Sequence, residues 1–428
     1  MKHIMAIALL ALLTTSADLM AQAGSGVYVG GHIRRERPNT VTTLKNSGFT
    51  YVILFNVNVE TDGTLTTDGE TICKDGQYVF ANEQPYYIED VKALKTWPTG
   101  IERIEICIGG WGNQSYSRIK DLINAEGTGA RTILYRNFKA LKDAIPEIDA
   151  VNNDDEHCYD AETAVKFHTM MYDLGYKTTV APYTNKSFWQ SLVTGLNGNR
   201  SGACDRVLIQ CYDGGAYNNP SDWKLGGLPV HAGRTNYQTD MDTSIAQMQT
   251  WKDNNGVVGG FVWVYNDETW NLNKWASAMN RVFPSHKVNA PVATVYSETD
   301  FGGYSVRLAE GSYCMGQLSA YGITDKDIAS FKLKSGYKLT VYASTDLTGS
   351  SKTYTDAEVS SMGVWRNRLS SLIIEKAEDT GISSTEQDGK MTQDAEIYSL
   401  KGNRIDRIQS SHGIYVIRQG QQVKKIVR

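Results

Sequence analysis

The chain has 428 residues, more than one ordinary hydrophobic core accommodates, so two or three domains are expected. A net charge of −4 with no basic run excludes a nucleic-acid binder that works by charge. The 24 tyrosines and 9 tryptophans suit packed cores and flat sugar-stacking platforms alike, so composition alone does not choose between these uses.

At the start, Lys2 and His3 precede an apolar run over 4–13, and Ala21-Gln22-Ala23 offers a small-x-small cleavage site. This predicts a secretory signal peptide over 1–23 with Gly24 as the mature start. Neither this run nor any later one is long enough for a membrane span, so a secreted or cell-surface product reached through the periplasm is expected. Export permits disulfides, but the six cysteines form no framework. Cys107 and Cys211 lie in apolar runs and read as buried thiols, while Cys73, Cys158, Cys204 and Cys314 are scattered. Few or no bridges are expected, and no Cys/His spacing suggests a metal.

Over 24–285, short apolar runs alternate with helical patterns. The runs are 27–30, 51–56, 104–110, 148–154, 178–182, 207–212, 228–231 and 258–264; helical spacing appears over 161–174 and 244–253. Eight strands with intervening helices in roughly 250 residues match an α/β (β/α)₈ TIM barrel, with a doubly wound open sheet as the alternative. Residues 59–86, rich in Thr, Asp and Gly, read as a hairpin insertion after the second strand that helps wall a cleft. Residues 232–257 hold a loop and one helix, with no large insertion.

After Pro284 the pattern becomes all-β, and 290–376 contains an internal repeat. Tyr296, Phe301, Gly303 and Ser305 recur as Tyr342, Leu347, Gly349 and Ser351, which predicts two copies of one β unit packed together. A polar linker follows over 377–393, then a small β module over 394–428.

The most informative stretch is IDAVNNDDEHCYD over 148–160. In a strand, alternate side chains share a face, so Asn152, Asp154 and Glu156 point the same way, toward the mouth of a barrel. Crowded carboxyls raise one another's pKa, which suits a general acid working near neutral pH. Asp149, Asn153 and Asp155 face outward or belong to a turn. The residues alone leave open a solvated Asn/Asp turn or a Ca²⁺ loop, although the EF-hand spacing and its glycine are absent.

On these residues the first domain resembles glycoside hydrolase family 18, which carries D-G-x-D-x-D-x-E on its fourth barrel strand; DAVNNDDE at 149–156 falls on that motif. CIGGW at 107–111 is similar to the family's S-x-G-G on the third strand, and QCYD at 210–213 to its M-x-Y-D on the sixth. Trp263 falls where the family places a tryptophan beneath the reacting sugar. The resemblance implies substrate-assisted retaining hydrolysis needing no catalytic cofactor, in which the sugar's N-acetyl oxygen attacks its own anomeric carbon. By the same resemblance Glu156 is the acid and later the base, and Asp154 orients the acetamide. Tyr212 binds the acetamide oxygen, and Asp213 supports the sugar or the acetamide. Trp111 and Tyr183 are expected substrate-binding residues, as is Asn152.

Two departures stand out: Ala150 replaces the family's Gly, and Asn152 its first inner Asp. Loss of that charge is expected to make Asp154 easier to ionise. Cys107 and Gln210 replace Ser and Met, a change expected to affect packing more than chemistry.

The repeat resembles a βγ-crystallin domain of two Greek-key motifs. DKDIAS at 325–330 and RNRLSS at 366–371 are similar to its Ca²⁺ signature, implying weak Ca²⁺ binding through Asp325, Ser330, Asn367 and Ser370. Lys326, Ala329 and Arg366 spoil the motif, and a purely structural sandwich is the alternative. IYSLKGNRI, GIYVIR and VKKIVR at the end resemble a C-terminal sorting domain of the type IX secretion system of Bacteroidetes, implying that machinery as a partner. The expectation is a monomeric secreted hydrolase acting on N-acetylglucosamine-containing oligosaccharides or glycoconjugates (chitin, N-glycan core or peptidoglycan). The alternative is a non-catalytic lectin or adhesin.

Overall fold

A computed structural model describes residues 23–266 and 271–377, together with 396–399, 404–405, 414–419 and 422–427. The expected signal peptide as far as Gln22 and the linker over 378–393 lie outside the described residues.

All eight apolar runs become strands of one closed barrel. They are β1 (Gly24–Val29), β2 (Tyr51–Leu54), β7 (Arg103–Gly109), β8 (Ile148–Asp154), β9 (Lys177–Val180), β10 (Cys204–Gln210), β11 (Val230–Thr235) and β12 (Gly259–Tyr265). Each strand pairs in parallel with both neighbours, in the order β1-β12-β11-β10-β9-β8-β7-β2. The closed sheet overturns the open-sheet alternative. Inside, Tyr28, Tyr51, Cys107, Leu208, Tyr212 and Phe261 fill the lumen, and a Cβ on Gly26 would overlap the Tyr51 ring. A buried ionic floor closes the other end, where Arg103 bridges Glu105 and Asp205.

The helices outside are α1 (Asn39–Ser47), α2 (Tyr87–Lys95), α3 (Ser115–Glu126), α4 (Ile133–Ala144), α5 (Ala161–Asp173), α6 (Lys186–Asn199), α7 (Met241–Asn255) and α8 (Leu272–Val282). Asp160 caps α5 by accepting from the Thr163 amide, and Asp240 starts α7 three residues earlier than apolar spacing alone predicts. Between β10 and β11 the expected helix is replaced by three 3₁₀ turns: Asp213–Gly215, Pro220–Trp223 and Leu225–Gly227.

The insertion corrects the sequence reading twice. It is a four-stranded antiparallel sheet of β3 (Asn58–Val59), β4 (Leu65–Thr67), β5 (Glu70–Lys74) and β6 (Gln77–Tyr78), more than a hairpin. It also turns away from the cleft, none of whose lining residues it supplies, and seats on α4. There the buried Asn137 donates to the Gly63 carbonyl (2.7 Å) and accepts from the Gly76 amide (2.7 Å), satisfying two loop ends at once.

In the second domain the duplication is explicit. One antiparallel sheet is ordered β14 (Ser305–Leu308), β13 (Ala293–Tyr296), β16 (Ser330–Leu333), β19 (Glu358–Val359). The other is ordered β15 (Gly311–Tyr313), β20 (Ser371–Lys376), β17 (Tyr337–Tyr342), β18 (Ser351–Tyr354). Each repeat thus lends its third strand to the other's sheet. The repeated skeleton has a physical reason: Phe301 and Leu347 both hold positive φ (63° and 65°), as do Gly303 and Gly349. Ser330 Oγ donates to the Glu298 carbonyl and accepts from the Phe301 amide; Ser371 Oγ does the same for Ser344 and Leu347.

The two domains interlock through α1, α8 and the short α9 (Met315–Ala320). Asn273 donates to Ser319 Oγ (2.9 Å) and accepts from the Asp325 amide (2.8 Å); Asn280 donates to the Ser319 carbonyl (2.8 Å). Ser277 meets Thr324 (2.7 Å), and Arg281 donates to the Gly322 carbonyl (2.6 Å).

The terminal module is a four-stranded antiparallel sheet ordered β22 (Arg404–Ile405), β21 (Glu396–Ser399), β23 (Ile414–Gln419), β24 (Gln422–Val427). All six cysteines carry free thiols, with Cys107 and Cys211 fully buried as their apolar settings predict. Among the described residues no helix is long and apolar enough to cross a membrane.

Candidate active site

A cavity of about 610 Å³ opens where the barrel strands end, and Asp154, Glu156, Tyr212, Asp213, Trp263, Trp111 and Tyr183 all line it. Seven residues spread over more than 150 positions meet because six of them end or follow a barrel strand and Trp263 lies two residues from the end of β12.

β8 supplies the acidic pair. Asp154 is 4% exposed at the strand's last position, and Glu156 follows two residues on at the mouth. The Gln210 side chain from β10 joins them: its Nε2 donates to Asp154 Oδ1 (2.9 Å), lies 3.5 Å from Glu156 Oε1 and reaches the Ala181 carbonyl (3.0 Å). Burial raises the pKa of Asp154 well above the usual carboxylate range; the charges of Glu156 and Asp155 add to this, and the Gln210 bond opposes it. Burial likewise raises Glu156, opposed by the Gln210 bond and helped by Asp155 and Asp213. The pair therefore holds a proton above the ordinary carboxylate pH, as a general acid requires. Burial also pushes the Tyr212 hydroxyl well up, which keeps it a donor.

The floor is aromatic. Trp263 meets Phe55 edge-on with ring centroids 4.7 Å apart, and Tyr28 at 5.2 Å. Above, Trp111 is 92% exposed on the turn after β7. Gly109 and Gly110 take φ of 114° and 105° there, and the Gly110 amide donates to the Asp154 carbonyl at 2.7 Å. A Cβ on Gly109 would overlap that carbonyl, so the two glycines let the Trp111 turn press against β8. Asp213, at φ 45°, lies at the exposed rim, where its carboxylate accepts from Tyr237 Oη (3.0 Å) and from the Gln238 side chain.

Two expectations are corrected here, those for Asn152 and Gln210. Asn152 shares the inward face of β8 but is fully buried below the cavity: its Oδ1 accepts from Tyr28 Oη (2.8 Å) and its Nδ2 donates to Thr179 Oγ1 (2.9 Å). With both ends of its amide engaged, it lies beneath the cavity and is not among its lining residues. Asn152 carries no charge, and the raised pKa of Asp154 comes from burial first and then from Glu156 and Asp155. Gln210 is chemical rather than packing: it is the donor common to both carboxylates. Replacing Gln210 with methionine should therefore raise the pKa of the pair further and lower kcat by about 10-fold with KM little changed, since one hydrogen bond to a charged group contributes about 1.5–3 kcal/mol. A pH–rate profile checks this; an unchanged profile returns Gln210 to packing.

Of the four crystallin-type residues two meet. Ser370 Oγ donates to Asp325 Oδ1 at 2.6 Å, but Ser330 is spent on the Glu298 and Phe301 backbone, and Asn367 is placed by backbone, its amide donating to the Ile328 carbonyl at φ 58°. Among the described residues no group of three or more His, Cys, Asp or Glu is arranged for a metal.

No protein-family model matches the chain, and no curated protein matches it. Solved structures do. The N-terminal domain of Protein S is 30% identical with a TM-score of 0.20, covering 20% of this chain and 97% of that one. A βγ-crystallin domain from Flavobacterium johnsoniae is 27% identical at the same TM-score, covering 21% and 99%. One from Clostridium beijerinckii is 29% identical at a TM-score of 0.20, covering 20% and 99%. With scores this low, the reading of the second domain stands on its two strand-swapped sheets; the first domain is a closed barrel of eight parallel strands with an acidic cleft.

Proposed function

We propose that the chain is a secreted glycoside hydrolase of family 18 type, on a (β/α)₈ barrel, that cleaves β-1,4 bonds beside N-acetylglucosamine. The observation that carries this reading is the Asp154–Gln210–Glu156 arrangement at the barrel mouth, above the Trp263 floor. Such a site suits a sugar that supplies its own nucleophile. Glu156 gives its proton to the glycosidic oxygen as the acetamide oxygen bonds to the anomeric carbon and the leaving sugar departs. Asp154 holds the acetamide nitrogen's proton, and the Tyr212 hydroxyl donates to the acetamide oxygen. Glu156, now ionised, takes a proton from water that opens the oxazolinium ring, so configuration is retained.

Calcium has a place in this reading in one form only. Asp325 and Ser370 would contribute two oxygens, whereas the pseudo-equivalent pair is Arg366 and Ala329, which offers no side-chain oxygen. The terminal sheet is read as a type IX sorting domain, consistent with export through the periplasm.

The test is mass spectrometry of products from chitin oligosaccharides, a high-mannose glycoprotein and peptidoglycan strands. The expected products carry N-acetylglucosamine at a new reducing end with β configuration. Binding without products from any of the panel would make the chain a lectin or adhesin instead.

A further inference from the structure

We propose that Asp155 and Asn153, backed by His168, form a brace on the outer side of the catalytic strand that sets the position of Glu156, making Asp155 a positioning residue. This rests on the hydrolase reading of Glu156 and adds a second layer of residues behind it.

Glu156 is poorly held by its own side chain: its hydrogen bond to Gln210 is long, at 3.5 Å. Its backbone, in contrast, is clamped on both sides. The Asp155 carboxylate, 2% exposed, accepts from the amides of His157 (3.0 Å) and Cys158 (2.8 Å) on Oδ1 and of Tyr159 (2.8 Å) on Oδ2. Three backbone donors just past the catalytic residue thus converge on one buried carboxylate, forcing a tight turn that ends at Tyr159 with φ 50°. The Tyr159 ring then packs edge-on against Phe188 and Trp189 of α6, with centroids 5.4 and 6.5 Å away.

Behind the turn the brace reaches the next layer. The Asp155 amide donates to Asn153 Oδ1 (2.9 Å), and Asn153 Nδ2 donates to His168 Nε2 (2.9 Å). With Nε2 accepting, the ring proton sits on Nδ1 and donates to Thr178 Oγ1 (3.0 Å). Burial pushes the His168 pKa down to about 3, so the ring stays neutral and keeps this polarity throughout the working pH range. The residue types follow from the task. A carboxylate offers two oxygens to the three amides, and a neutral histidine accepts on one ring nitrogen while donating from the other. Period-two alternation does the rest: 152 and 154 face the lumen while 153 and 155 serve the brace.

The charge acts as well. Asp155 raises the pKa of both Asp154 and Glu156, alongside the effects of burial, of Asp213 on Glu156, and of Glu156 on Asp154.

The experiment uses the full chain with Asp155→Asn and Asp155→Ala, each also on a Glu156→Gln background. Amide hydrogen exchange at 157–159 needs no turnover and should quicken about 10-fold or more in Asp155→Ala. On a cleaved substrate, kcat should fall about 100-fold with KM within about 3-fold, the mark of lost positioning. In Asp155→Asn the loss should be smaller, and the basic limb of kcat/KM should move to lower pH, a shift that a merely structural residue would not cause. If circular dichroism shows Asp155→Ala unfolded, Asp155→Asn decides. Unchanged exchange at 157–159 overturns the brace whatever the activity. Quickened exchange in a protein that cleaves nothing keeps the brace and removes the hydrolase reading.

Discussion

Glu156→Gln should lower turnover about 10³-fold while leaving sugar binding intact, because the change removes one proton and almost no volume. Positioned general acid–base catalysis contributes about 10²–10⁴-fold, and in the proposed mechanism the same group acts in both half-reactions, so a loss above the low end of that range is expected. The sign of the accompanying change is fixed by the site. Burial is the first cause of Asp154's raised pKa, and the Glu156 charge the second. Removing that charge lets Asp154 ionise at a lower pH, although burial still holds it above an ordinary carboxylate. On the proposed mechanism the working form carries protonated Glu156, so kcat/KM should be sustained as pH rises past the ordinary carboxylate range and then fall through the pKa of the pair. Calorimetry with a chito-oligosaccharide measures binding, and a pH series of initial rates measures the limb. A variant that hydrolyses at the wild-type rate would place the acid elsewhere.

Much of this site was legible from residue spacing, and each exception has its own physical cause. Strand alternation correctly placed Asp154 and Glu156 at the cleft, and Asn152 on the same inward face. It did not say how deep each position sits, and two residues along a strand separate a pocket wall from a sealed interior. Asn152 lies on the sealed side, bonded to Tyr28 and Thr179. Gln210 was readable in principle: it ends β10 two residues before Tyr212, whose backbone is still extended, so the two share a face. Phe55 follows the same rule from Tyr51 and Ile53. The contacts of Asp155 were out of reach, because its three partners are backbone amides that any sequence carries. The insertion was misjudged for another reason. Its composition declares turns, but its seat on α4 depends on Asn137, one polar residue within that helix.

The second domain taught the opposite lesson, since its repeat predicted the paired β units while nothing in the sequence announced how closely they join the barrel. Truncation after residue 287 should therefore cost the barrel about 10–20 °C in Tm. Asn273 loses Ser319 and the Asp325 amide, Asn280 loses the Ser319 carbonyl, Ser277 loses Thr324, and Arg281 loses Gly322. At about 1 kcal/mol each, these bonds amount to roughly 5 kcal/mol before any apolar area is counted. That is comparable to the whole stability of many domains, about 5–15 kcal/mol, and each kcal/mol shifts Tm by about 2–4 °C at this size. A point substitution separates the interface from the missing mass. A Cβ on Gly316 would overlap the Lys45 carbonyl of α1, so Gly316→Val should wedge the domains apart and lower Tm in the full chain. Scanning calorimetry on both proteins is the check. A truncated barrel melting within about 3 °C of the full chain would mean that the contacts are dispensable and the sandwich a passenger. The larger shift would make it a buttress, fixing α8, which follows the Trp263 strand β12 and shares its barrel wall.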